Sequence, residues 1–295
     1  MSGIEKAVRR SAGETTESAG ATVAGQTKED DNKGGDSQTM LDKTTRQLPK
    51  KLKTVCPIDF AALKQEGFLS PSDRRSRQAE EYRTIKRPLL NNAFGKEASL
   101  VEHGNLIMVT SAMPAEGKTF TSINLAISMA MEQDFTVLLV DCDDLRCSTS
   151  RLLEVDDSIG LVDVLQDPEL DLSDAILSTS LPRLRVLPAG RSLGHTPELL
   201  ASERMQRLIN ELSERYADRV IIFDTPPLLA TSQAAVLAQL MGQILVVVEA
   251  GKTPLQAVQD AIAQIDQNKA VGMVLNKSPE VFKSDYYGGY YGRYE

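Results

Sequence analysis

Residues 112–119 have the types and spacing that bind phosphate groups. They read Ala-Met-Pro-Ala-Glu-Gly-Lys-Thr, after the apolar run Leu106–Val109 and before a helical pattern at 118–131. A strand, a tight loop and a helix in this order predict a phosphate-binding loop, because backbone N–H groups of the loop and of the helix start point at one anion. We expect Lys118 to reach the β- and γ-phosphates of a nucleotide and the Thr119 hydroxyl to bind Mg²⁺.

The whole loop is expected to contact the nucleotide. The usual pattern begins with glycine, whereas this chain has alanine, which has less backbone freedom. A coincidental Gly-Lys-Thr in a surface turn is the alternative, and the flanking strand and helix argue against it. The expected contacts are Ala112, Met113, Pro114, Ala115, Glu116, Gly117, Lys118, Thr119 and Phe120.

Carboxylates follow two further apolar runs. The run 136–141 leads into Asp-Cys-Asp, and the run 220–224 ends in Asp224 before Thr-Pro-Pro. Strand ends of a parallel sheet form one crevice, so these carboxylates should meet the phosphate loop. Mg²⁺ prefers one or two carboxylate ligands. We expect Asp224 on the metal side, and Asp141 and Asp143 to supply a proton acceptor and a second metal contact. Capping of the following helices is the alternative role.

Apolar runs that alternate with helical patterns predict an α/β fold of the P-loop NTPase type. Its sheet should be mostly parallel, with helices on both faces. We expect strands at 106–109, 136–141, 184–187, 220–224, 244–248 and 271–276, and helices at 59–67, 72–87, 118–131, 161–165, 197–212, 232–241 and 253–267.

The composition divides the chain into four parts. Residues 1–57 are rich in Ser, Thr, Gly and charged residues, which predicts disorder. Residues 58–104 should form a helical oligomerisation segment, in which Pro88 disturbs or ends the second helix. Residues 105–278 form the P-loop domain. We expect residues 279–295 to form a flexible, tyrosine-rich tail.

Charge and hydropathy exclude several classes of protein. The net charge of −8 argues against a dedicated nucleic-acid binder. No apolar run is long enough to span a membrane, and the N-terminus lacks the apolar core of a signal peptide. The three cysteines have no zinc-like spacing, which favours reduced thiols. We expect a cytoplasmic protein that meets a membrane only through a partner.

The tail holds five of the seven tyrosines of the chain. Glycine spacing gives it no apolar face to pack, so the phenols should be exposed. Beside a phosphate loop, such a row is expected to accept phosphate, although a stacking or aggregation-prone tail is the alternative. The expected acceptors are Tyr286, Tyr287, Tyr290, Tyr291 and Tyr294.

The chain resembles the cytoplasmic bacterial tyrosine kinases of exopolysaccharide and capsule synthesis, in particular the autokinases encoded with exosortase loci. The resemblance covers roughly residues 80–295. The resemblance rests on three motifs. The first is the phosphate loop. The second is three apolar residues followed by Asp-x-Asp at 138–143, and the third is three apolar residues followed by Asp-x-Pro at 221–226. The stretch Pro197–Met205 and the terminal tyrosines also match.

The resemblance implies ATP and Mg²⁺ as cofactors and tyrosine as the phosphoacceptor. Lys118 and Thr119 would bind phosphates and Mg²⁺, and Asp141 would help to deprotonate the tyrosine. Asp143 and Asp224 would support the metal.

Two positions leave alternatives open. Asp144 stands where the family has an apolar residue, so either Asp143 or Asp144 could face the metal. Asn276 matches a position that implies an adenine contact, and a simple loop asparagine is the alternative.

The resemblance also implies partners. Glu80, Arg83 and Lys86 match the Glu-x-x-Arg-x-x-Arg helix of the family, which builds a homo-oligomeric ring in which one subunit's tail enters the next one's site. Lysine replaces arginine at position 86 and lacks bidentate geometry. From spacing alone, a solvated charged helix is the alternative. The implied activator is a membrane chain-length-determining protein, a polysaccharide co-polymerase, which would recruit the kinase to the inner face of the plasma membrane.

The nearest rival is a partitioning or division-site ATPase of the same P-loop branch. Such ATPases use a lysine five places before the loop lysine, where this chain has Met113. Their ends also lack a tyrosine row. A nucleotide-binding switch without kinase activity stays open as well, because Ala112 and Ala115 reduce the glycine content of the loop.

Overall fold

One eight-stranded sheet organises the protein in the computed structural model. The structure describes residues 55–96, 98–143, 146–191, 196–215 and 218–278. In chain order the elements are β1 (Val55–Cys56), α1 (Phe60–Gln65), α2 (Arg77–Phe94), β2 (Leu106–Ser111), α3 (Lys118–Ala130), β3 (Thr136–Asp141), α4 (Ser148–Leu152), α5 (Leu161–Gln166), α6 (Leu172–Ala175), β4 (Leu177–Thr179), β5 (Leu184–Leu187), α7 (Thr196–Leu200), α8 (Glu203–Arg215), β6 (Arg219–Asp224), α9 (Ser232–Leu240), β7 (Gln243–Glu249), α10 (Leu255–Ile262) and β8 (Ala270–Asn276).

The sheet has the order β1-β4-β5-β3-β6-β2-β7-β8. The pairs from β5 through β8 are parallel, and β4 runs antiparallel to β5. Strands β2, β3 and β6 lie at the centre and are almost wholly buried, as expected of parallel strands with helices on both faces. The predicted α/β fold is confirmed.

Alternate residues of the central strands supply two separate apolar cores. Met108 and Phe223 point to one face of the sheet, which helices α5 and α7–α9 cover. Ile107 and Ile222 point to the other face, which helices α2 and α3 cover. Burial on both faces fixes the register of these strands, because a shift by one residue would exchange the two cores.

Helix α2 differs from its prediction. It begins at Arg77, after the Ser76 hydroxyl accepts a hydrogen bond from the Ala79 N–H, and it ends at Phe94. Pro88 neither ends nor starts it. The ring of Pro88 lies on the exposed side, while Leu89 is buried on the other side. Apolar packing beyond the proline therefore outweighs the loss of one helical hydrogen bond.

The three residues predicted for oligomerisation do not share one exposed face. The side chains of Glu80 and Arg83 form an ion pair that is open to solvent. Lys86 is 4% exposed and lies on the buried stripe of α2, where its Nζ donates to the Ser128 carbonyl at 2.7 Å. Nζ also lies 2.5 Å from a Glu132 carboxylate oxygen. Lys86 thus fastens α2 to the end of α3.

Other departures concern short or interrupted elements. The single helix predicted over 197–212 is two helices, α7 and α8, because Ser202 donates its hydroxyl to the Leu199 carbonyl and accepts from the Met205 N–H at the junction. Helix α10 ends at Ile262, before its predicted end. Strands β1 and β4 and helices α4 and α6 were not predicted, since two to five residues carry little periodicity.

Some predictions concern residues that lie outside the described ranges. These include the prediction of disorder for residues 1–54 and the prediction of a flexible tail for residues 279–295. In the ranges that are described, no helix has both the length and the apolar character needed to cross a bilayer.

Replacing Lys86 by methionine should lower the stability of the monomer. The substitution keeps the aliphatic stem but removes the donor that satisfies a carbonyl in the last turn of α3. We expect the free energy of unfolding, measured by urea denaturation, to fall by about 1–3 kcal/mol. Arg87→Met, which alters an exposed neighbour, is the control and should change little. An unchanged midpoint for Lys86→Met would refute the structural role.

Candidate nucleotide and catalytic site

The phosphate loop joins β2 to α3 through strained backbone. Ala115 and Gly117 have φ angles of 68° and 100°, in the left-handed region. A Cβ atom at position 117 would lie 2.0 Å from Asn276 Nδ2, so only glycine fits. Gly117 is the N-cap of α3 and has no side chain to bond the first-turn N–H groups. These groups are thus available to an anion.

Glu116 stabilises the loop from inside. The residue is 2% exposed and its carboxylate is turned into the protein, so the predicted nucleotide contact of Glu116 would have to use its backbone N–H. One oxygen accepts from the Met113 N–H at 2.6 Å, and the other accepts from the Thr253 hydroxyl. Met113, Pro114 and Ala115 form the exposed rim.

The end of β8 supports the same loop from behind. Asn276 Nδ2 donates to the Glu116 carbonyl at 2.8 Å, and Lys277 Nζ donates to the Ala115 carbonyl at 2.7 Å. Lys277 also pairs with Glu249 at 3.1 Å. Both donors are far from the loop in sequence. These bonds satisfy two loop carbonyls from behind. Since the Met113 N–H already donates to Glu116, the N–H groups at the uncapped start of α3 are the ones available to an anion. Asn276, predicted to contact adenine, contacts the loop in this structure.

Asp224 lies beside the start of α3. Its Oδ1 accepts from the Ser122 hydroxyl at 3.1 Å, and its Oδ2 accepts from the Thr149 hydroxyl at 2.8 Å. Burial raises the pKa of Asp224, while these hydroxyls, the Lys118 ammonium and the Thr119 hydroxyl oppose that rise. The predicted contacts Lys118, Thr119 and Asp224 are therefore together.

Asp141 lies directly opposite Asp224 on the neighbouring strand. Its Oδ2 accepts from the Ser150 N–H at 2.8 Å and from the Ser150 hydroxyl at 2.7 Å, and its Oδ1 accepts from the Asp143 N–H at 3.2 Å. Burial, and then the charge of Asp224, raises the pKa of Asp141 to about 7. A carboxylate with this pKa suits general-base chemistry near neutral pH.

The remaining predicted site residues fall into two groups. Asp143 is 4% exposed and follows Asp141 at the end of β3, so it lies in the same crevice. The choice between Asp143 and Asp144 stays open, since position 144 is outside the described residues. Phe120 stacks its ring on Phe68 at a centroid distance of 4.8 Å, and this contact belongs to the packing of α3.

Helix α4 is the part of the site that the sequence did not reveal. Thr149 bonds one buried aspartate and Ser150 bonds the other. The Ser150 hydroxyl also accepts from the Ala189 N–H at 3.1 Å. The only signal was a Ser-Thr-Ser sequence at 148–150, which is too common to predict a contact.

Comparison with known proteins identifies the family. Residues 105–278 match the family described as AAA domain. The chain is 31% identical to Tyrosine-protein kinase YwqD of Bacillus subtilis over 231 residues, which are 77% of this chain and 92% of that protein. It belongs to the bacterial tyrosine kinases.

Other members of this tyrosine kinase family agree in sequence and structure. The chain is 32% identical over 181 residues to Tyrosine-protein kinase wzc of Salmonella typhimurium, and it covers 25% of that longer protein. The solved kinase domain of Escherichia coli tyrosine kinase ETK is similar with a TM-score of 0.62 and 27% identity, over 76% of this chain and 89% of that one. The solved VpsO kinase domain is similar with a TM-score of 0.58 and 27% identity, over 68% and 97%.

In this tyrosine kinase, Lys277→Met should weaken nucleotide binding. The change removes the ammonium donor of the Ala115 carbonyl, so the loop is no longer held in its strained form. We expect the Kd for ADP, measured by calorimetry, to rise roughly tenfold. Lys252→Met is the matched control, because Lys252 also pairs with Glu249 but makes no contact with the loop. Equal effects of the two substitutions would contradict the support role.

Asp141 should make the stability of the protein depend on pH. In the absence of Mg²⁺ and nucleotide, the folded state keeps the Asp141 proton up to a pH of about 7, whereas an aspartate usually loses it near 3.8. The free energy of unfolding should therefore fall as pH rises through this range, by up to about 1.4 kcal/mol for each unit.

Asp141→Asn should remove this part of the slope in urea denaturation. The variant should gain stability relative to the parent as pH rises from about 4 to about 8. Asp260→Asn on the exposed side of α10 should keep the parental slope. A parental slope in Asp141→Asn would show that Asp141 loses its proton at an ordinary pH.

Proposed function

We propose that this chain is a protein-tyrosine autokinase that transfers the γ-phosphoryl group of ATP to tyrosines of its own tail. One observation carries the proposal. In a member of the tyrosine kinase family, a phosphate loop follows β2, and a carboxylate whose pKa is raised to about 7 ends β3, on the other side of the shared neighbour β6. Phosphoryl transfer needs an anion cradle and a nearby proton acceptor, and this crevice supplies both.

The site fits Mg²⁺ bound together with a nucleotide. Among the described residues, no three acidic, histidine or cysteine side chains are grouped to hold a metal ion by themselves. Mg²⁺ in kinases instead takes one or two protein oxygens, with phosphate and water as its other ligands. Thr119, Asp143 and Asp224 would hold the ion. When bound, Mg²⁺ supplies positive charge that neutralises the transferring phosphate.

The residues of the chain divide the remaining work. The loop N–H groups and the Lys118 ammonium bind and orient the β- and γ-phosphates. As the tyrosine oxygen forms its bond to the γ-phosphorus, the bond from that phosphorus to the β–γ bridging oxygen breaks, and ADP leaves. Asp141 accepts the phenol proton. Since Asp141 has no exposed surface in this structure, the groups that cover it must move before the phenol arrives.

The tail is the best source of the accepting hydroxyl. Tyr82 is the only tyrosine in the described ranges, and it is 6% exposed and packed against α3. Burial raises the pKa of Tyr82 above its usual value, which further disfavours the phenolate. The remaining candidates therefore include the five tail tyrosines.

The cellular setting is proposed from the resemblance. We place the kinase in the cytoplasm, in control of exopolysaccharide or capsule synthesis, in loci of the exosortase-associated type. A membrane chain-length-determining protein would activate it and recruit it to the inner face of the plasma membrane. A ring of subunits would present each tail to a neighbouring site. Because Lys86 is buried, Glu80 and Arg83 are the residues of the motif helix that are available to such a ring.

A phosphotyrosine assay with Mg-ATP tests the proposed activity. The full chain is incubated with and without a cytoplasmic fragment of the membrane partner. Lys118→Met should reduce the signal by at least about 100-fold, because the phosphates lose their cation. A chain ending at Asp285 should show no signal, because the accepting tyrosines are gone.

Two further samples complete this assay. Lys252→Met, which changes a lysine outside the site, should retain the signal. ATP hydrolysis without phosphotyrosine, even with the partner fragment, would overturn the kinase assignment in favour of an ATPase switch.

A further inference from the structure

A basic concavity at the start of α2 takes no part in the nucleotide crevice, although two of its lining residues, Glu80 and Arg83, are those proposed above for the ring. It measures about 620 Å³, and four arginines and two glutamates contribute to its walls. The lining residues are Arg74, Arg75, Ser76, Arg77, Glu80, Glu81, Arg83 and Thr84. It is locally positive in a chain whose net charge is −8.

The arginines of this concavity differ in their availability. Arg77 pairs with Glu81 and Arg83 pairs with Glu80, so these two are partly neutralised. The side chains of Arg74 and Arg75 are exposed and have no hydrogen-bond or ion-pair partner among the described residues. Two guanidinium groups are therefore free to bind an anion, and guanidinium groups bind phosphates in bidentate geometry.

The concavity lies at the same end of the sheet as the phosphate loop. Helices α2 and α3 run in the same direction, since Tyr82 lies beside Thr121 and Asn124, while Lys86 bonds the Ser128 carbonyl further along both helices. The start of α2 is thus beside the start of α3, where Lys118 lies. Contacts of Phe68 with Phe120 and of Leu69 with Asn124 fix the preceding segment there.

The charge of the tail shows which ligand would fit. Residues 279–295 contain three acidic and two basic side chains, so the unmodified tail has little attraction for a basic concavity. Each phosphotyrosine adds a charge of about −1.5 to −2 at neutral pH. Phosphorylation would therefore turn the same segment into a strong anionic ligand.

We propose that Arg74 and Arg75 form a docking site for the phosphorylated C-terminal tyrosine segment of this chain. The inference rests on the proposed autokinase activity, which creates the ligand. The site would hold the modified tail beside the crevice in which it was made and distinguish it from the unmodified tail.

A peptide-binding assay tests the dock without any phosphoryl transfer. The probe is a fluorescent peptide of residues 284–295, made either with phosphotyrosine at its five tyrosine positions or unmodified. The protein is the full chain carrying Lys118→Met, so that its own tail stays unmodified. We expect the phosphopeptide to bind at least about tenfold more tightly than the unmodified peptide.

Variants then locate the dock. Arg74→Gln/Arg75→Gln, in the same background, should weaken phosphopeptide binding at least about tenfold. Arg87→Gln/Lys96→Gln is the matched control, because it removes two positive charges later in the same helix and just beyond it. It should change binding less than about twofold.

Three outcomes would overturn the inference. These are equal effects of the two double variants, binding that ignores phosphorylation, and binding of anionic phosphatidylserine vesicles through Arg74 and Arg75 without phosphopeptide binding. Phosphopeptide binding in a chain with no kinase activity would leave the dock intact and refute only the proposed function. Kinase activity with no phosphopeptide binding would refute only the dock.

Discussion

Two carboxylates buried at one level of neighbouring strands set the requirements for the surrounding structure. Asp141 and Asp224 lie side by side in the interior, and charged groups in such a place are costly unless donors surround them. The Lys118 ammonium and hydroxyls from α3 and α4 supply those donors. The starts of α3 and α4 must therefore lie beside the two aspartates, because those parts of the helices contain the donors. The same burial, together with the charge of Asp224, raises the pKa of Asp141 to about 7.

The phosphate loop is arranged to meet negative charge, as the groups around the two aspartates are. Its carbonyls are bonded from behind by Asn276 and Lys277, and its one acidic side chain, Glu116, is turned inward. The oxygens that carry negative charge therefore point away from the side of the loop that would meet an anion. This arrangement explains how alanine at position 115 sustains a left-handed φ of 68°, since tertiary contacts supply what glycine would otherwise contribute.

The sequence was sufficient wherever one physical rule decided the outcome. Long apolar runs could only be central strands, and parallel strands bring their ends together, so the meeting of Lys118, Asp141 and Asp224 was predictable. Contacts between segments far apart in sequence were not predictable when they were made by residue types that occur throughout the chain. Lys277 is 162 residues from its carbonyl partner, and no pattern marks it. For Pro88 the prediction was wrong for a different reason. Proline usually ends or disturbs a helix, but apolar packing beyond Pro88, which only the fold reveals, keeps α2 helical to Phe94.

The support of the loop by β8 has a mechanical consequence. Lys277 lies two residues before the tail begins, and it holds the Ala115 carbonyl directly. A force on the chain beyond residue 278 would therefore act close to the phosphate loop, through Lys277 and its hydrogen bond to the Ala115 carbonyl. The segment proposed to accept phosphate is therefore joined to the domain next to a residue that supports the phosphate loop.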